Sequence, residues 1–272
     1  MTEQYKIVYM LGIGGIGMSA LARYFNHLGY RVEGYDKTPS ALTQALSEEG
    51  IKIHFEDKIE LMPTELVTGT NADQVLIIYT PAIPKNHAQY NYILDKNYTI
   101  YKRAQVLGMI TKQSKCITVA GTHGKTTTST LIAHIMKEGT GNISAFLGGI
   151  SSNYKTNLLL GDNNAYTVIE ADEYDRSFLQ LYPLISVITS MDPDHLDIYG
   201  SPDEMAKTYN QFAHQVNPDG KLIVRYGLSI DATPKLTYGF DKNADYFGTN
   251  IRIADGHYTF DIVTKNRTVK DI

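Results

Sequence analysis

Cys116-Ile117-Thr118-Val119-Ala120-Gly121-Thr122-His123-Gly124-Lys125-Thr126 sets the architecture of this chain. A run of apolar and β-branched residues leads without a break into a glycine, and Thr126 to Met136 then carries helical patterning. A buried strand that runs into a Gly-rich turn and then a helix is the repeating unit of parallel α/β sheets. The residue types also suit a phosphate. Backbone amides of such a loop can cradle phosphate oxygens, a lysine ammonium can reach the β- and γ-phosphates, and a threonine hydroxyl can take a Mg²⁺ position. Gly121, Thr122, His123, Gly124, Lys125, Thr126 and Thr127 are therefore the candidate ATP-binding residues. The spacing departs from the common form of the loop, since Gly121 precedes Gly124 by three residues rather than five. A chance Gly-Lys-Thr on a surface turn is the competing reading, and the strand before it and helix after it weigh against that.

The same pattern occurs nearer the N-terminus. A strand from Lys6 to Leu11 feeds Gly12-Ile13-Gly14-Gly15-Ile16-Gly17. A helix from Met18 to Leu28 follows, with Leu21, Ala22, Phe25 and Leu28 on one face, and Gly29 stops it. A further strand, Tyr30 to Tyr35, ends at Asp36, about 20 residues past the glycines, as a dinucleotide fingerprint requires. Such a loop lets the chain turn tightly and brings helix-terminal amides against a diphosphate. Read alone it favours NAD. It specifies a diphosphate without specifying which, and a ligand-free tight turn is the plainer alternative.

Val75 to Tyr79 reads as a buried strand, and Tyr90 to Ser114 as mixed and helical, which puts a domain boundary near Val106 and divides the chain into 1–106 and 107–272. Strands are expected at Ser144 to Phe146, Tyr166 to Glu170 and Ile185 to Thr189. Ser201-Pro202-Asp203-Glu204 is a capping box with proline at the first helical position. Beyond Lys221 the pattern changes to short strands at Leu222 to Arg225, Leu236 to Tyr238, Tyr246 to Ile253 and Tyr258 to Val263. The expected fold is thus α/β, a Rossmann-like N-terminal domain followed by a P-loop α/β domain with a small additional β region.

Two acidic clusters fall at expected strand ends: Glu170-Ala171-Asp172-Glu173 and Met191-Asp192-Pro193-Asp194-His195. Carboxyl ends of strands are where α/β sheets place Mg²⁺ ligands, and Mg²⁺ prefers a few protein oxygens beside phosphate oxygens and water. Either cluster alone would read as solvated turn residues. A histidine nitrogen is an unusual Mg²⁺ ligand, so chemistry by itself does not select His195.

Composition excludes several classes. The net charge is -4 and no basic stripe or basic amphipathic helix occurs, so neither nucleic acid nor a membrane surface is an expected partner. Cys116 is the sole cysteine, which excludes an internal disulfide and multi-Cys metal sites. The uncharged stretch between Lys6 and Arg23 imitates a leader ending in Ala20-Leu21-Ala22. Four glycines interrupt it, and it falls short of the ~20 residues a membrane span needs. A cytoplasmic location is expected.

Both loops in this order resemble the Mur ligases of peptidoglycan synthesis. Gly-Thr-His-Gly-Lys-Thr-Thr, 121–127, is similar to that family's shortened P-loop, which accounts for the spacing. Gly12 to Ser19, Thr80-Pro81-Ala82-Ile83-Pro84, Glu170 to Asp175 and Asp192 to Asp197 resemble its alanine-adding branch. The resemblance implies an ATP-dependent ligase that joins L-alanine to UDP-N-acetylmuramate through an acyl phosphate, as a monomer or homodimer. It implies UDP-substrate binding by Gly12, Gly14, Gly15, Ile16, Gly17, Asp36, Thr80 and Ala82. It implies catalytic roles for Lys125, Glu170 and His195, and metal binding by Thr126, Glu170 and His195. It further implies a third, C-terminal domain beyond Ile272, so that residues 1–272 would bind the UDP substrate, bind ATP weakly and turn over little or nothing by themselves. Two positions depart from the family pattern: Tyr35 stands where a serine is common, and Ser190 where an asparagine is. A recycling ligase that attaches a tripeptide to the same UDP-sugar acid is the nearest rival. Folate polyglutamate ligases share only the P-loop. An NAD-dependent dehydrogenase would leave Lys125, Glu170 and His195 unexplained, and a non-catalytic nucleotide-binding regulator would not need all of Lys125, Thr126 and Glu170.

Overall fold

The computed structural model describes residues 4–162 and 165–272. The chain divides into two compact units, one formed by Met1–Ser114 with Thr130–Val168, the other by Lys115–Ser129 with Ile169–Ile272.

The first unit is built on β1 (Ile7–Leu11), β2 (Arg31–Tyr35), β3 (Lys52–His54), β4 (Val75–Tyr79) and β5 (Ile100–Lys102). These pair in parallel in the order β3-β2-β1-β4-β5. Connecting helices are α1 (Ile16–His27), α2 (Ala41–Glu48), α3 (Thr64–Thr68), α4 (Ala88–Asp95) and α5 (Arg103–Thr111). Every residue of β1 is buried, as expected of a central strand covered on both faces. Tyr9, Leu11, Leu66, Ile77 and Ile93 belong to one core cluster, each worth roughly 1.5–3 kcal/mol of burial. Tyr9 meets the polar requirement of a buried phenol by donating to Gln89 Oε1 at 2.7 Å, while Gln89 Nε2 donates to the Lys58 carbonyl. Val106 lies inside α5.

Three elements between Asp36 and Val75 have no counterpart in the sequence reading: α2, β3 and α3. The start of α2 has a local cause. Ser40 Oγ accepts from the Thr43 amide, and Thr43 Oγ1 accepts from the Ser40 amide, a reciprocal cap. α1 starts at Ile16 rather than Met18, with Gly15 as an N-cap that supplies no side-chain bond. Its first amides are thereby left to a ligand or water.

Further along the chain, β6 (Lys115–Ala120) and the first turn of α6 (Lys125–Thr140) belong to the second unit. The rest of α6, with the antiparallel pair β7 (Ile143–Phe146) and β8 (Leu158–Leu159), belongs to the first. Asn157, fully buried there, donates to the Ile16 carbonyl and to Ser19 Oγ, and accepts from Arg23 of α1. β9 (Tyr166–Ala171) ends in the second unit.

In the second unit β6 pairs in parallel with β10 (Ile185–Ile188). The sheet continues through β11 (Lys221–Arg225), β12 (Lys235–Gly239) and β13 (Tyr246–Ala254). β14 (His257–Thr264) and β15 (Thr268–Val269) add antiparallel to that edge, so the strands beyond Lys221 are not a separate small β region: the first three extend the parallel sheet and only the last two are antiparallel. The helices are α7 (Leu196–Tyr199) and α8 (Pro202–His214). Ser201 Oγ accepts from the Glu204 amide at the start of α8, with Pro202 in the first turn; of the expected capping box this is the half observed, while Glu204 Oε1 accepts from Lys207. Phe212 of α8 stacks on Phe178 at 4.6 Å, and Tyr209 meets the same ring edge-on. The register pairs Ile185 with Ile117 and Ile188 with Ala120. Both strands therefore end level, and the residues after β6 emerge beside the residues after β10.

Candidate functional site

In the first unit a cavity of about 670 Å³ opens among the Gly-rich loop, the end of β2 and the segment after β4. That volume suits a ligand of nucleotide size. Gly12, Gly14, Gly15, Asp36, Thr80 and Ala82 line it, whereas Ile16 and Gly17 open α1 outside its lining. Asp36 Oδ2 accepts from the Gly14 amide at 2.7 Å, and Oδ1 accepts from the Thr38 amide, so the carboxylate braces the loop. A Cβ at Gly14 would lie 2.7 Å from Thr43 Cγ2 and 2.8 Å from Asp36 Oδ2, so no side chain fits there without displacing them.

Two residues of this unit escape a linear reading. Arg103, at the start of α5, covers the first turn of α1 so closely that a Cβ on Gly17 would sit 2.2 Å from its Nη1. A guanidinium beside a helix N-terminus has the wrong sign for the helix dipole and the right sign for an anionic ligand. His87 lines the cavity with its side chain 4% exposed. Its Nδ1 lies 3.1 Å from Asp57 Oδ1, and its Nε2 has no hydrogen-bond partner. Burial lowers the pKa of His87 against the smaller opposing pull of Asp57, so the ring is neutral at pH 7. Tyr35, the unusual residue before Asp36, packs edge-on to this ring at 4.5 Å.

In the second unit Gly121 takes a φ of +139°, and a Cβ there would meet Thr189 Oγ1 at 2.1 Å and the Ser190 amide nitrogen at 2.8 Å. Only glycine allows the loop to lie this close to the residues after β10. Those residues in turn hold the loop. Ser190 Oγ accepts from the His123 amide at 2.7 Å, and Thr189 Oγ1 donates to the His123 carbonyl. Thr122 Oγ1 accepts from the Asp192 amide. Ser190 therefore acts here as a brace of the phosphate-type loop, whatever else it contacts.

Lys125 Nζ donates to the Gly121 carbonyl at 2.7 Å and to Glu173 Oε1 at 2.9 Å. Its side chain is 16% exposed and that of Glu173 2%. Thr126 Oγ1 donates to Glu170 Oε1 at 3.0 Å. A hydroxyl and a carboxylate together are the hard oxygen donors that Mg²⁺ prefers, so this pair fits such an ion. His195 stands elsewhere in the cluster. Its ring nitrogen, an Asp194 oxygen and a Glu173 oxygen all lie within 4.8 Å of one another. The structure thus joins Thr126 to Glu170, and joins His195 to Glu173 and Asp194. His195 also holds the left-handed backbone region at φ +50°, a strained conformation for a non-glycine residue of the kind found at functional sites. His123 is 72% exposed, its Nε2 3.9 Å from Asp192 Oδ2. Burial and the Glu173 charge push the Tyr199 phenol up to about 12, so it stays protonated and donates to the Glu173 carbonyl at 2.6 Å.

No helix among the described residues is long and apolar enough to cross a membrane. Residues 119–271 match the Mur ligase middle domain, and residues 7–115 match the Mur ligase family, catalytic domain. The UDP-N-acetylmuramate--L-alanine ligase of Flavobacterium psychrophilum is 50% identical over 270 residues, which are 99% of this chain and 58% of that protein. The chain therefore spans rather more than half the length of such a relative. Two crystal structures share the fold at low identity. The UDP-N-acetylmuramate-alanine ligase of Thermotoga maritima superposes with a TM-score of 0.81 at 24% identity, over 96% of this chain and 58% of that one. The UDP-N-acetylmuramate:L-alanyl-gamma-D-glutamyl-meso-diaminopimelate ligase of Neisseria meningitides gives 0.82 at 20%, over 97% and 86%. With the two matches covering nearly its whole length, the chain belongs to the Mur ligase family.

Proposed function

We propose that this chain supplies the UDP-substrate and ATP sites of a cytoplasmic ligase that joins L-alanine to UDP-N-acetylmuramate in peptidoglycan precursor synthesis. One observation carries the ATP-dependent part: Lys125 at the start of α6, pinned between the Gly121 carbonyl and a buried carboxylate, with Thr126 against Glu170 on the neighbouring strand. A lysine of the type that holds phosphate thus stands next to a metal-type oxygen pair, one oxygen from α6 and one from β9. We take residues 1–106 as the UDP-substrate domain and 107–272 as the ATP-binding one. The choice of amine rests on the 50% identity to a relative named as an L-alanine ligase. The tripeptide-adding enzyme shares only the fold at 20% identity, which makes it the second reading.

In this reading the Gly12 to Gly17 loop, with α1 behind it and Arg103 over its first turn, holds the diphosphate of the sugar nucleotide. Asp36, Thr80 and Ala82 line the same cavity, which supports a place there for the uridine. Lys125 holds the transferring phosphoryl group and offsets its negative charge as the muramoyl carboxylate attacks. The L-alanine amine then attacks the acyl phosphate, and inorganic phosphate leaves. Thr126 and Glu170 would hold Mg²⁺, with His195 toward a second ion, and the ions would neutralise phosphate charge. Calorimetric titration with MgATP and with UDP-N-acetylmuramate should find two separable sites. Lys125→Ala is expected to remove ATP binding and spare the sugar nucleotide, and Gly14→Trp to do the reverse. A chain in which either substitution removes both ligands, or neither, contradicts the assignment.

A further inference from the structure

Among the acidic residues around the P-loop, Glu173 is the buried one. Both of its oxygens lie 2.9 Å from Lys125 Nζ, but only Oε1 accepts a hydrogen bond, and Oε2 has no hydrogen-bond partner. Oε2 is thus held by the charge of Lys125 alone, which leaves its hydrogen-bonding capacity open to a second cation. The Lys125 ammonium, for its part, is already neutralised. It donates to Gly121 and Glu173, so a phosphate arriving at the loop must compete with a carboxylate for the same cation.

Asp194 and His195 each bring a ligand atom within 4.8 Å of a Glu173 oxygen, close enough for the three groups to share one cation. Lys125 and such a cation would compete for the one negative charge of Glu173, so a cation at that carboxylate weakens its hold on Lys125. The Glu173 backbone is fixed by the Tyr199 hydroxyl at 2.6 Å, so an exchange of partners falls to the side chain alone. We propose that Glu173 is a masking counter-ion and positioning residue: it holds Lys125 back from the phosphate until a divalent cation takes the Glu173 carboxylate. Cation and nucleotide then bind cooperatively, and by thermodynamic linkage each strengthens the other by the same factor. The inference rests on the reading of this loop as a nucleotide site.

The test uses the full 272-residue chain, a non-hydrolysable ATP analogue, and Mn²⁺ as the metal probe. Glu173→Gln keeps the shape and removes the charge. In EDTA it is expected to bind the analogue about tenfold more tightly than the unsubstituted chain, and the gain that metal confers should shrink by a similar factor. Lys125→Gln reads the device from the other side and serves if Glu173→Gln fails to fold. It should raise Mn²⁺ affinity, followed by electron paramagnetic resonance without nucleotide, also about tenfold. Metal-free affinity that is unchanged or weaker in Glu173→Gln, or Mn²⁺ affinity unchanged in Lys125→Gln, overturns the masking role alone. An unsubstituted chain that binds no analogue even with metal overturns the nucleotide reading, and the proposal with it.

Discussion

Lys125→Ala is expected to destabilise the chain by about 3 kcal/mol as well as to remove ATP binding. The substitution strands the Glu173 carboxylate, whose side chain is 2% exposed, without its cation. Breaking a buried pair by removing one partner costs roughly 3–5 kcal/mol, and the residual exposure of Lys125 puts this case at the lower end. Adding Glu173→Gln should restore most of the stability, since a neutral amide needs no counter-charge, while ATP binding stays lost for want of the ammonium. Urea unfolding of the single and double variants, with calorimetry on each, separates the two effects. A single variant as stable as the unsubstituted chain would mean that the ion pair is absent in solution. A double variant no more stable than the single one would assign the loss to packing of the lysine stem.

Gly121→Ala should be nearly as damaging despite adding one methyl group. At φ +139° an L side chain is strained, and the new Cβ would overlap Thr189 Oγ1 and the Ser190 amide. Strain of this kind costs of order 1–3 kcal/mol, and forcing a close contact apart adds a comparable amount. Relief requires the loop to move from the end of β10, which breaks the Ser190 bond to the His123 amide. The expected result is a loss on the order of 3 kcal/mol in urea unfolding, with nucleotide binding lost even where the variant remains folded. An alanine variant that keeps both stability and MgATP affinity would show that the loop has room this geometry denies it.

The strand, Gly-rich turn and helix units were legible because each is local. β1 and β6 are apolar runs that end at a glycine, β4 is an apolar run that ends at Thr80-Pro81, β10 lies just before an acidic cluster, and Ser201-Pro202 starts α8 through chemistry within four residues. α2 is eight residues long and buries only Thr43 and Leu46, too little apolar periodicity to stand out. Much of the site that was missed is non-local. Arg103 reaches Gly17 because β5 delivers α5 to the same end of the sheet, and His87 meets Asp57 across the loops after β4 and β3. Spacing along the chain carries no sign of either meeting. Glu173 was visible as one of several acids, but that it receives the Lys125 hydrogen bond while Glu170 receives that of Thr126 depends on which way the residues face at and just after the end of β9. Ser190 shows the converse: its position was marked in the sequence, and its bonds to the loop backbone became apparent only in three dimensions.

Whether the first unit takes a UDP-sugar acid or another diphosphate decides the functional proposal. The most direct measurement is a pair of calorimetric titrations of this chain in Mg²⁺, one with UDP-N-acetylmuramate and one with NAD. The account predicts saturable binding of the sugar nucleotide, lost in Gly14→Trp, and no heat from NAD. Binding of NAD with no response to UDP-N-acetylmuramate would contradict it.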